Sequence, residues 1–571
     1  MKNVQKQTKG ITLIALVITI IVLLILAGVA IATLTGENGI LTQAENAKTK
    51  TEKATEEERI AMAVLADQTN NLGEGITVKG LQDELGSDAT VEDLQDGRFK
   101  ITFDSGRYYI IDGNGNIIEA YDPKDNKATT EEVAEATEWT KLNRVSKSGG
   151  YNSSKGVNAP KLGSELTAVT LTDDLSSYTS NGTWYDYAKQ SGTTESGGTS
   201  KWANAVTTGE DGKVTGYYVW IPRYAYKITS GYQSNSTGTI EVKFLKGTTN
   251  EFADGTGTAE TDPSKITYTD GVQDQWLVHP AFTSSAENGG GFGEITGIWV
   301  AKYEISAYID ASSTSTRVIS STTAEQQIKL RVLPGVQSSS IENIGRMYTL
   351  AYNMNRNAES HMLKNSEWGA VAYLAHSQYG RNGTEVTINN TWYASQDSAS
   401  TGNDTYTGGS NQANGYLNNG LQSTTGNAYG IYDLNGGRWE YVASYINNGS
   451  SSLADYGTDM TSSDIATSTK YKTVYKSSTS DTGNSWSSSI QSANYDLAVG
   501  MKGDAIYETS SSYSGTTSWN GDFSYFPYAN NPFFGRGGGA NGGSSAGLFY
   551  FNYYGGYAYD NVSFRSCLVL V

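Results

Sequence analysis

The sequence predicts an α+β protein in three parts: a long N-terminal helix that starts in a membrane, a small β-rich unit and a large domain with many loops. Three observations support this prediction. An uncharged run extends from Ile11 to Gly36, a turn signal at residues 112–115 separates two apolar runs, and beyond residue 140 small polar residues alternate with aromatic segments. A chain of 571 residues has room for roughly two to four domains.

The composition disfavours several classes of protein. The chain has 41 Lys+Arg against 59 Asp+Glu, a formal net charge of −18, and it lacks the concentrated positive surface that a phosphate backbone requires, so nucleic acid is not expected as a partner. The single cysteine, Cys567, rules out disulfide frameworks and Cys-rich zinc sites. Only three histidines are present, which leaves few acid/base constellations and disfavours an enzyme.

The N-terminal segment predicts a membrane anchor. Lys2, Lys6 and Lys9 precede the uncharged run, and a hydrocarbon core of about 30 Å needs roughly 20 helical residues. The lysines should keep the N-terminus cytoplasmic, so the rest of the chain is expected outside. The alternative is an ordinary secretory signal cleaved after residues 30–32, Ala-Ile-Ala, although the apolar run is longer than such signals contain.

Residues 9–34, KGITLIALVITIIVLLILAGVAIATL, resemble the class III signal of type IV prepilins. The resemblance implies a leader over residues 1–10 that is cleaved after Gly10, a mature N-terminus at Ile11, and a pilin-like helix over residues 11–70 with its transmembrane part at 11–34. Residues 37–67 lack Pro and are rich in Ala, Glu, Lys and Thr, which favours a continuous helix.

Pilins usually have Glu at the fifth mature position, where this chain has Ala15. The resemblance therefore implies a membrane-anchored or minor pilin-like subunit, with other pilin subunits as partners.

A small β-rich domain is predicted over residues 71–122. The runs RFKITFD (98–104) and RYYIIDGNGNIIEAYD (107–122) alternate in polarity, and Asp-Gly-Asn-Gly at 112–115 is a strong hairpin turn signal. The acidic, polar stretch 123–139 is typical of a linker. The main domain then covers residues 140–571, where aromatic segments such as 217–228, 297–305 and 366–376 predict short strands and one helix among long loops.

Residues 427–441, NAYGIYDLNGGRWEY, resemble the motif of formylglycine-generating-enzyme-like (sulfatase-modifying-factor) domains, roughly N-x-x-G-x-x-D-x-x-G-N-x-W-E-W. The terminal Ser563-Phe564-Arg565 stands where that family has Gly-Phe-Arg. The resemblance implies a C-type-lectin-like fold over about residues 215–571. The matching positions are Asn427, Gly430, Asp433, Gly436, Trp439 and Glu440, while Gly437 and Tyr441 depart from the motif.

Two interpretations of the Trp439-Glu440 pair stay open. In the first, Trp439 fills the core and Glu440 satisfies loop amides. In the second, which the resemblance implies, Glu440 holds a calcium ion with the carbonyl groups of Asn435, Gly436 and Arg438, because oxygen ligands suit this hard cation. No cofactor is required, and calcium is the one that the resemblance allows.

The enzymatic chemistry of the family is not expected here. Formylglycine-generating oxidases use a pair of cysteines to bind copper and the substrate thiol, and Cys567 is alone, within the apolar run CLVLV. We expect it to be a small buried side chain. No pair among His279, His361 and His376 has metal-ligand spacing, so all three are expected to be structural, and the chain is predicted not to be an enzyme.

The C-terminal run 536–565 predicts the function. Seven of the eleven residues at 549–559 are aromatic and are interleaved with Gly, Ala and Asn, a mixture typical of antibody paratopes rather than of a buried strand pair. The run also resembles the variable region of proteins diversified by retroelements, in which mutated AAY codons yield such residues. The alternative is a Tyr/Gly-rich loop without diversification.

The sequence therefore predicts a surface-displayed ligand-binding protein, an adhesin or receptor whose partner is a protein or glycan on another cell, phage or host surface. The alternatives are a structural or minor pilin or fixed adhesin and, less favoured, a divergent enzyme of the formylglycine-generating family. The predicted ligand-binding residues are Gly539, Ala540, Asn541, Gly542, Ser545, Tyr550, Asn552, Tyr553, Tyr554, Gly555, Tyr557, Tyr559, Asp560, Asn561 and Val562.

Overall fold

The structure is a computed structural model. It describes residues 40–70, 75–94, 97–121, 149–164, 166–171, 178–179, 183–190, 198–209, 212–309, 314–390, 406–410, 412, 414–462 and 469–570. The chain divides into two compact units, residues 1–133 and residues 134–571.

The helices and strands of the described residues follow in chain order. The helices are α1 (Ile40–Asn70), α2 (Val78–Leu85), α3 (Ile344–Asn353), α4 (Asn365–His376), α5 (Ser451–Asp455), α6 (Thr458–Thr461) and α7 (Ser488–Leu497). The strands of the first unit are β1 (Ala89–Asp93), β2 (Phe99–Phe103), β3 (Tyr108–Ile111) and β4 (Ile117–Tyr121).

The strands of the second unit are short. They are β5 (Tyr151–Asn152), β6 (Val157–Asn158), β7 (Thr167–Leu171), β8 (Tyr178–Thr179), β9 (Asn204–Thr208), β10 (Val214–Pro222), β11 (Tyr224–Ser230), β12 (Thr239–Phe244), β13 (Tyr268–Thr269), β14 (Val272–Gln273), β15 (Leu277–Val278), β16 (Gly297–Ala301), β17 (Ser306–Ile309), β18 (Val318–Ile319), β19 (Ile328–Arg331), β20 (Ser340–Ile341), β21 (His361–Met362), β22 (Trp439–Ile446), β23 (Thr473–Tyr475), β24 (Ser514–Gly515), β25 (Ser524–Tyr525), β26 (Phe533–Gly537), β27 (Gly547–Tyr554), β28 (Val562–Phe564) and β29 (Ser566–Leu568).

In the first unit, α1 and α2 share a core with an antiparallel sheet in the order β1-β2-β3-β4. Ile60, Ala63 and Val64 are spaced so that they lie on one face of α1, and this face packs in the same core as Ile101 and Tyr109. The predicted turn joins β3 to β4: the Asp112 carboxylate accepts hydrogen bonds from the backbone N–H groups two and four residues later, both at 2.9 Å.

The predicted fold class, with a transmembrane pilin-like helix, a small β-rich spacer and a C-type-lectin-like domain, is wrong. The described chain is a mixed α+β protein rich in strands, and no helix in the described ranges combines the length and apolar character that crossing a bilayer needs. The longest described helix, α1, carries charged side chains along much of its length. The predicted transmembrane segment 11–34 and the processing residues Gly10 and Ile11 lie outside the described residues.

The second unit contains two seven-stranded sheets. The first has the order β21-β29-β16-β10-β9-β7-β8. In its centre Trp220 of β10 lies directly opposite Trp299 of β16, with ring centroids 5.3 Å apart. The second sheet has the order β23-β22-β26-β27-β25-β24, and β28 pairs with β22 in parallel.

Helix α4 is buried along its whole length, as expected for a helix with apolar residues on all sides. Because residue 369 is a glycine, the segment that contains Gly503 can pass very close to this helix. A Cβ atom at this position would lie 1.9 Å from the carbonyl oxygen of Gly503, so any larger residue would push the two segments apart.

Arg565 lies where the chain passes from the second sheet to the first. The preceding strand, β28, pairs with β22, and the following strand, β29, pairs with β16 and β21. The fully buried guanidinium donates to both carboxylate oxygens of Glu440 on β22, at 2.7 and 3.2 Å, and to the carbonyl oxygen of Ala301 on β16 at 2.8 Å. One side chain therefore bridges the two sheets.

We expect Arg565→Met to destabilise the protein by about 3–5 kcal/mol, because it leaves the Glu440 carboxylate buried without its cation. The double variant Arg565→Met/Glu440→Met should recover part of that loss, but not all, since the Ala301 carbonyl remains without its donor. Urea unfolding of the three proteins measures this. Equal stability of the parent and the single variant would contradict the assignment of the bridge.

Candidate functional site

Strands β26 and β27 position the predicted ligand-binding residues. They form an antiparallel pair in which Phe534 lies opposite Tyr553 and Gly535 opposite Asn552. Successive side chains of a strand point to opposite faces. Phe549 and Phe551 are fully buried on one face. Tyr550 and Asn552, which alternate with them along the strand, therefore belong to the other face.

On that second face lies a group of side chains that we call the Trp439 cluster: Trp439, Tyr550, Asn552, Tyr554 and Tyr559. The Tyr550 hydroxyl accepts hydrogen bonds from Trp439 Nε1 at 2.9 Å and from Asn552 Nδ2 at 3.0 Å. The rings of Tyr554 and Tyr559 meet edge to face with centroids 5.5 Å apart. Burial raises the pKa of Tyr550 to about 12, so its hydroxyl stays neutral.

Glycines make room for these rings. A Cβ atom on Gly535 would lie 2.4 Å from the Tyr554 ring, and one on Gly539 would lie 2.5 Å from the Trp439 ring. The Tyr554 ring therefore lies close against β26, and the Trp439 ring lies against the start of the β26–β27 loop. Four members of the cluster, all except Tyr550, remain half-exposed.

Tyr553 contacts a different set of rings. Its side chain packs among Trp486, Tyr525 and Tyr528, with ring centroids 5.7, 5.7 and 5.5 Å away. We call these four residues the Trp486 cluster. Trp486 is 53% exposed. Sequence reasoning missed Trp486, although a lone Trp among serines in the run 485–489 is a signal for an exposed aromatic side chain.

The predicted ligand-binding residues fall into two groups. Ten are exposed or half-exposed: Asn541, Gly542, Ser545, Asn552, Tyr553, Tyr554, Tyr557, Tyr559, Asp560 and Asn561. Five are buried: Gly539, Ala540, Tyr550, Gly555 and Val562. The buried positions have little tolerance for larger side chains, because a Cβ atom on Gly555 would lie 2.2 Å from the Tyr557 ring and Val562 pairs with Trp439 inside the sheet.

At the predicted calcium site, the Glu440 carboxylate already lies beside a cation of the chain. Both oxygens of Glu440 face the Arg565 guanidinium, so the charge opposite this carboxylate comes from the chain itself. The Asn435 carbonyl accepts from the Asn389 N–H at 2.7 Å, the Gly436 N–H donates to Gly537, and the Arg438 N–H donates to Glu304. Sequence reasoning had not identified Arg565 as the partner of Glu440.

Two further buried carboxyl groups, Glu304 and Asp433, lie near Glu440. Asp433 accepts from Asn389 Nδ2 and from the Gly408 N–H, both at 2.9 Å. Burial raises the pKa of all three carboxyl groups, that of Asp433 to about 6. The Arg565 cation opposes this shift at each of them.

His361, Glu367 and Cys567 are the one group in the described chain that has metal-ligand proximity, with ligand atoms within 4.8 Å of one another. Each atom already has another role. His361 Nδ1 lies 2.7 Å from the Glu359 carbonyl oxygen and Nε2 lies 2.9 Å from Glu367 Oε1, so both ring nitrogens already have partners in the protein. Lys364 lies 3.4 Å from the same carboxylate, and burial raises the pKa of the Cys567 thiol. The geometry is that of a buried ion pair.

The other two histidines are packed in the interior. His279 lies among the rings of Tyr224, Tyr226 and Phe282, and burial lowers its pKa to about 3. His376 Nε2 lies 2.9 Å from the Gly238 carbonyl oxygen, and burial lowers its pKa as well. Both rings are therefore neutral at pH 7 in these positions.

The Glu367 ion pair predicts a pH dependence. Burial raises the pKa of Glu367, but the interactions with His361 and Lys364 outweigh it and lower the pKa from 4.5 to about 2. A carboxyl group whose folded pKa is depressed stabilises the protein above its unfolded pKa, and this contribution is lost as pH falls through the folded pKa. The gap in unfolding free energy between the parent and Glu367→Gln should be largest above pH 4.5 and shrink as pH falls towards 2. Urea unfolding across this range measures it, and a gap independent of pH would contradict the ion pair.

No family model matches this chain, and no curated protein matches it either. The function is therefore inferred from the geometry of the chain's own residues.

Proposed function

We propose that the protein is a ligand-binding protein and that the Trp439 cluster, together with the flanking turns at 541–545 and 557–561, is its binding surface. The observation that supports the proposal is a continuous set of half-exposed aromatic rings at one end of β27. Such rings provide large contact areas, and they are enriched among the residues that dominate binding energy in interfaces.

The rings of this surface are held in place before any ligand binds. Tyr550 accepts two hydrogen bonds from within the cluster, and Tyr554 contacts both Tyr559 and Tyr441 at 5.5 Å between ring centroids. Ordering a side chain on binding costs free energy, and rings that are already ordered avoid part of this cost. The surface is therefore suited to specific binding.

The chemistry of the surface indicates a neutral, polar ligand. The cluster consists of tyrosine, tryptophan and asparagine side chains, and the nearby Asp560 is paired with Arg317 at 3.4 Å. Tyrosine and asparagine offer hydrogen bonds beside apolar area. A protein or glycan ligand fits this mixture, and the formal net charge of −18 disfavours a polyanion such as nucleic acid.

We also propose that the protein acts at the cell surface. The support is the basic leader that precedes the uncharged run 11–36, a segment outside the described residues. The partner would then lie on another cell, a phage or a host surface.

The proposed surface can be tested with matched tyrosine variants. Tyr557→Ser/Tyr559→Ser removes two rings at the rim of the Trp439 cluster, one of them 39% exposed, and should lower binding at least about tenfold, the loss that corresponds to about 1.4 kcal/mol. The control is Tyr525→Ser, a half-exposed tyrosine in the Trp486 cluster, which should keep the affinity of the parent. The labelled full chain is assayed on a glycan array and against a displayed random-peptide library.

Two results would contradict the proposal. One is a parent protein that selects nothing from either library. The other is loss of binding in the Tyr525→Ser control while the double variant binds like the parent, which would move the site to the Trp486 cluster.

We also propose that a retroelement diversifies this surface. The burial of each position predicts where sequence changes should occur. The ten exposed or half-exposed positions can exchange side chains without repacking a core, whereas the five buried ones cannot. A template copy of the codons for residues 536–565 is expected beside a reverse-transcriptase gene, with differences at adenines. Sequencing the flanking DNA and independent isolates tests this: changes should concentrate at the ten positions. Equal variation at Gly539 and Gly555 would contradict the division into exposed and buried positions, and the absence of a template would favour a fixed adhesin.

A further inference from the structure

Two carboxyl groups meet beneath the loop that joins β26 to β27. Asp522 is fully buried and accepts a hydrogen bond from the Phe549 N–H at 2.8 Å. Glu385 is half-buried, and its carboxyl group is hydrogen-bonded to that of Asp522. Two ionised carboxylates repel each other at such a distance, so the pair requires either a shared proton or a cation.

Asn435 reaches the same point from the loop before β22. Its Nδ2 donates to Glu385 Oε1 at 3.2 Å and to the Val386 carbonyl oxygen. The side chain is 3% exposed, yet its Oδ1 has no hydrogen-bond partner in the described part of the chain. Buried oxygen atoms without a partner are costly and require an explanation.

A cavity of about 260 Å³ adjoins Glu385 and Asn435. Gly543, Ser544 and Ala546 of the β26–β27 loop line the same cavity. A water molecule occupies about 30 Å³ in the liquid, so the cavity has room for an ion together with several waters.

We propose that Glu385, Asp522 and Asn435 form a binding site for Ca²⁺, in which the ion replaces the proton shared by the two carboxyl groups. All the available ligand atoms are oxygens, which suit a hard cation and not a soft metal. Ca²⁺ accepts 6–8 oxygen ligands in flexible geometries, so the three side chains and water from the cavity are sufficient. Mg²⁺ demands a stricter octahedral arrangement. A site formed by three loops does not favour such strict geometry, so we expect Ca²⁺.

An ion bound at this site would also restrain the β26–β27 loop. The loop that lines the cavity carries Asn541, Gly542 and Ser545 on its outer side, and these residues are exposed or half-exposed. An ion bound beneath the loop would link it to the loops that carry Glu385 and Asn435. The Ca²⁺ site itself does not depend on the proposed ligand binding, and its test uses the metal alone.

Calcium binding by the chelator-treated full chain tests the proposal. Isothermal titration should give one site with a Kd in about the 10⁻⁴–10⁻³ M range of extracellular modules, and calcium should raise the thermal midpoint. Amide hydrogen exchange should slow at residues 541–549. Glu385→Gln, at a half-exposed position, and Asp522→Asn, which keeps an acceptor for the Phe549 N–H, should each lower the affinity at least about tenfold, or about 1.4 kcal/mol.

Asp504→Asn is the matched control. Asp504 is buried, and burial raises its pKa to about 7, as it does for Glu385, but Asp504 lies apart from the cavity and accepts from Tyr475 at 2.7 Å. This variant should bind calcium like the parent. The proposal is overturned by a parent that neither binds calcium nor gains stability from it, by Glu385→Gln binding with the affinity of the parent, or by calcium protection of a segment other than the β26–β27 loop.

Discussion

The ion pair between Arg565 and Glu440 is the interaction on which the large unit depends. Arg565 lies between β28, which belongs to the second sheet, and β29, which belongs to the first. A guanidinium in the interior is costly unless every donor finds an acceptor, and here the acceptors come from both sheets and from the Tyr432 carbonyl oxygen at 3.0 Å. The charge can therefore be accommodated only when the two sheets are correctly placed, which makes the pair a constraint on the register of the C-terminal strands.

This constraint also positions the proposed binding surface. Because side chains alternate along a strand, Arg438 and Glu440 point inward while Trp439 between them points outward. The Arg438 N–H donates to Glu304 at 2.8 Å and its Nε donates to the Ser338 carbonyl oxygen at 3.1 Å. The half-exposed ring of Trp439 thus lies between two residues whose side chains are fixed in the interior. A ligand that contacts Trp439 meets a rigid part of the fold and not a loop.

The sequence predicted local features well and long-range pairing poorly. The turn at 112–115 and the aromatic segments that form β10, β16 and α4 depend on neighbouring residues, and periodicity reveals them. The partner of Glu440 lies 125 residues away, and Asp522 lies still farther along the chain from Glu385, so no local pattern joins either pair. The predicted fold class was wrong because the fold of the whole chain was predicted from two local features, the apolar run 11–36 and a short motif.

Tyrosine content alone overstates the size of a binding surface in this protein. Glu508, which is fully buried, accepts hydrogen bonds from the hydroxyls of Tyr226, Tyr268 and Tyr373, so tyrosines here also build the core around a single carboxylate. The same dual use occurs within β27, where Tyr550 is buried and hydrogen-bonded while Tyr554, four residues later, is half-exposed. The two roles differ in how much of the ring is exposed. When a tyrosine whose hydroxyl binds a buried partner is replaced, that hydrogen bond is lost and the protein is destabilised. Tyrosines such as those around Glu508 therefore belong to the core, and the proposed surface is limited to rings that remain partly exposed, such as that of Tyr557, which is 39% exposed.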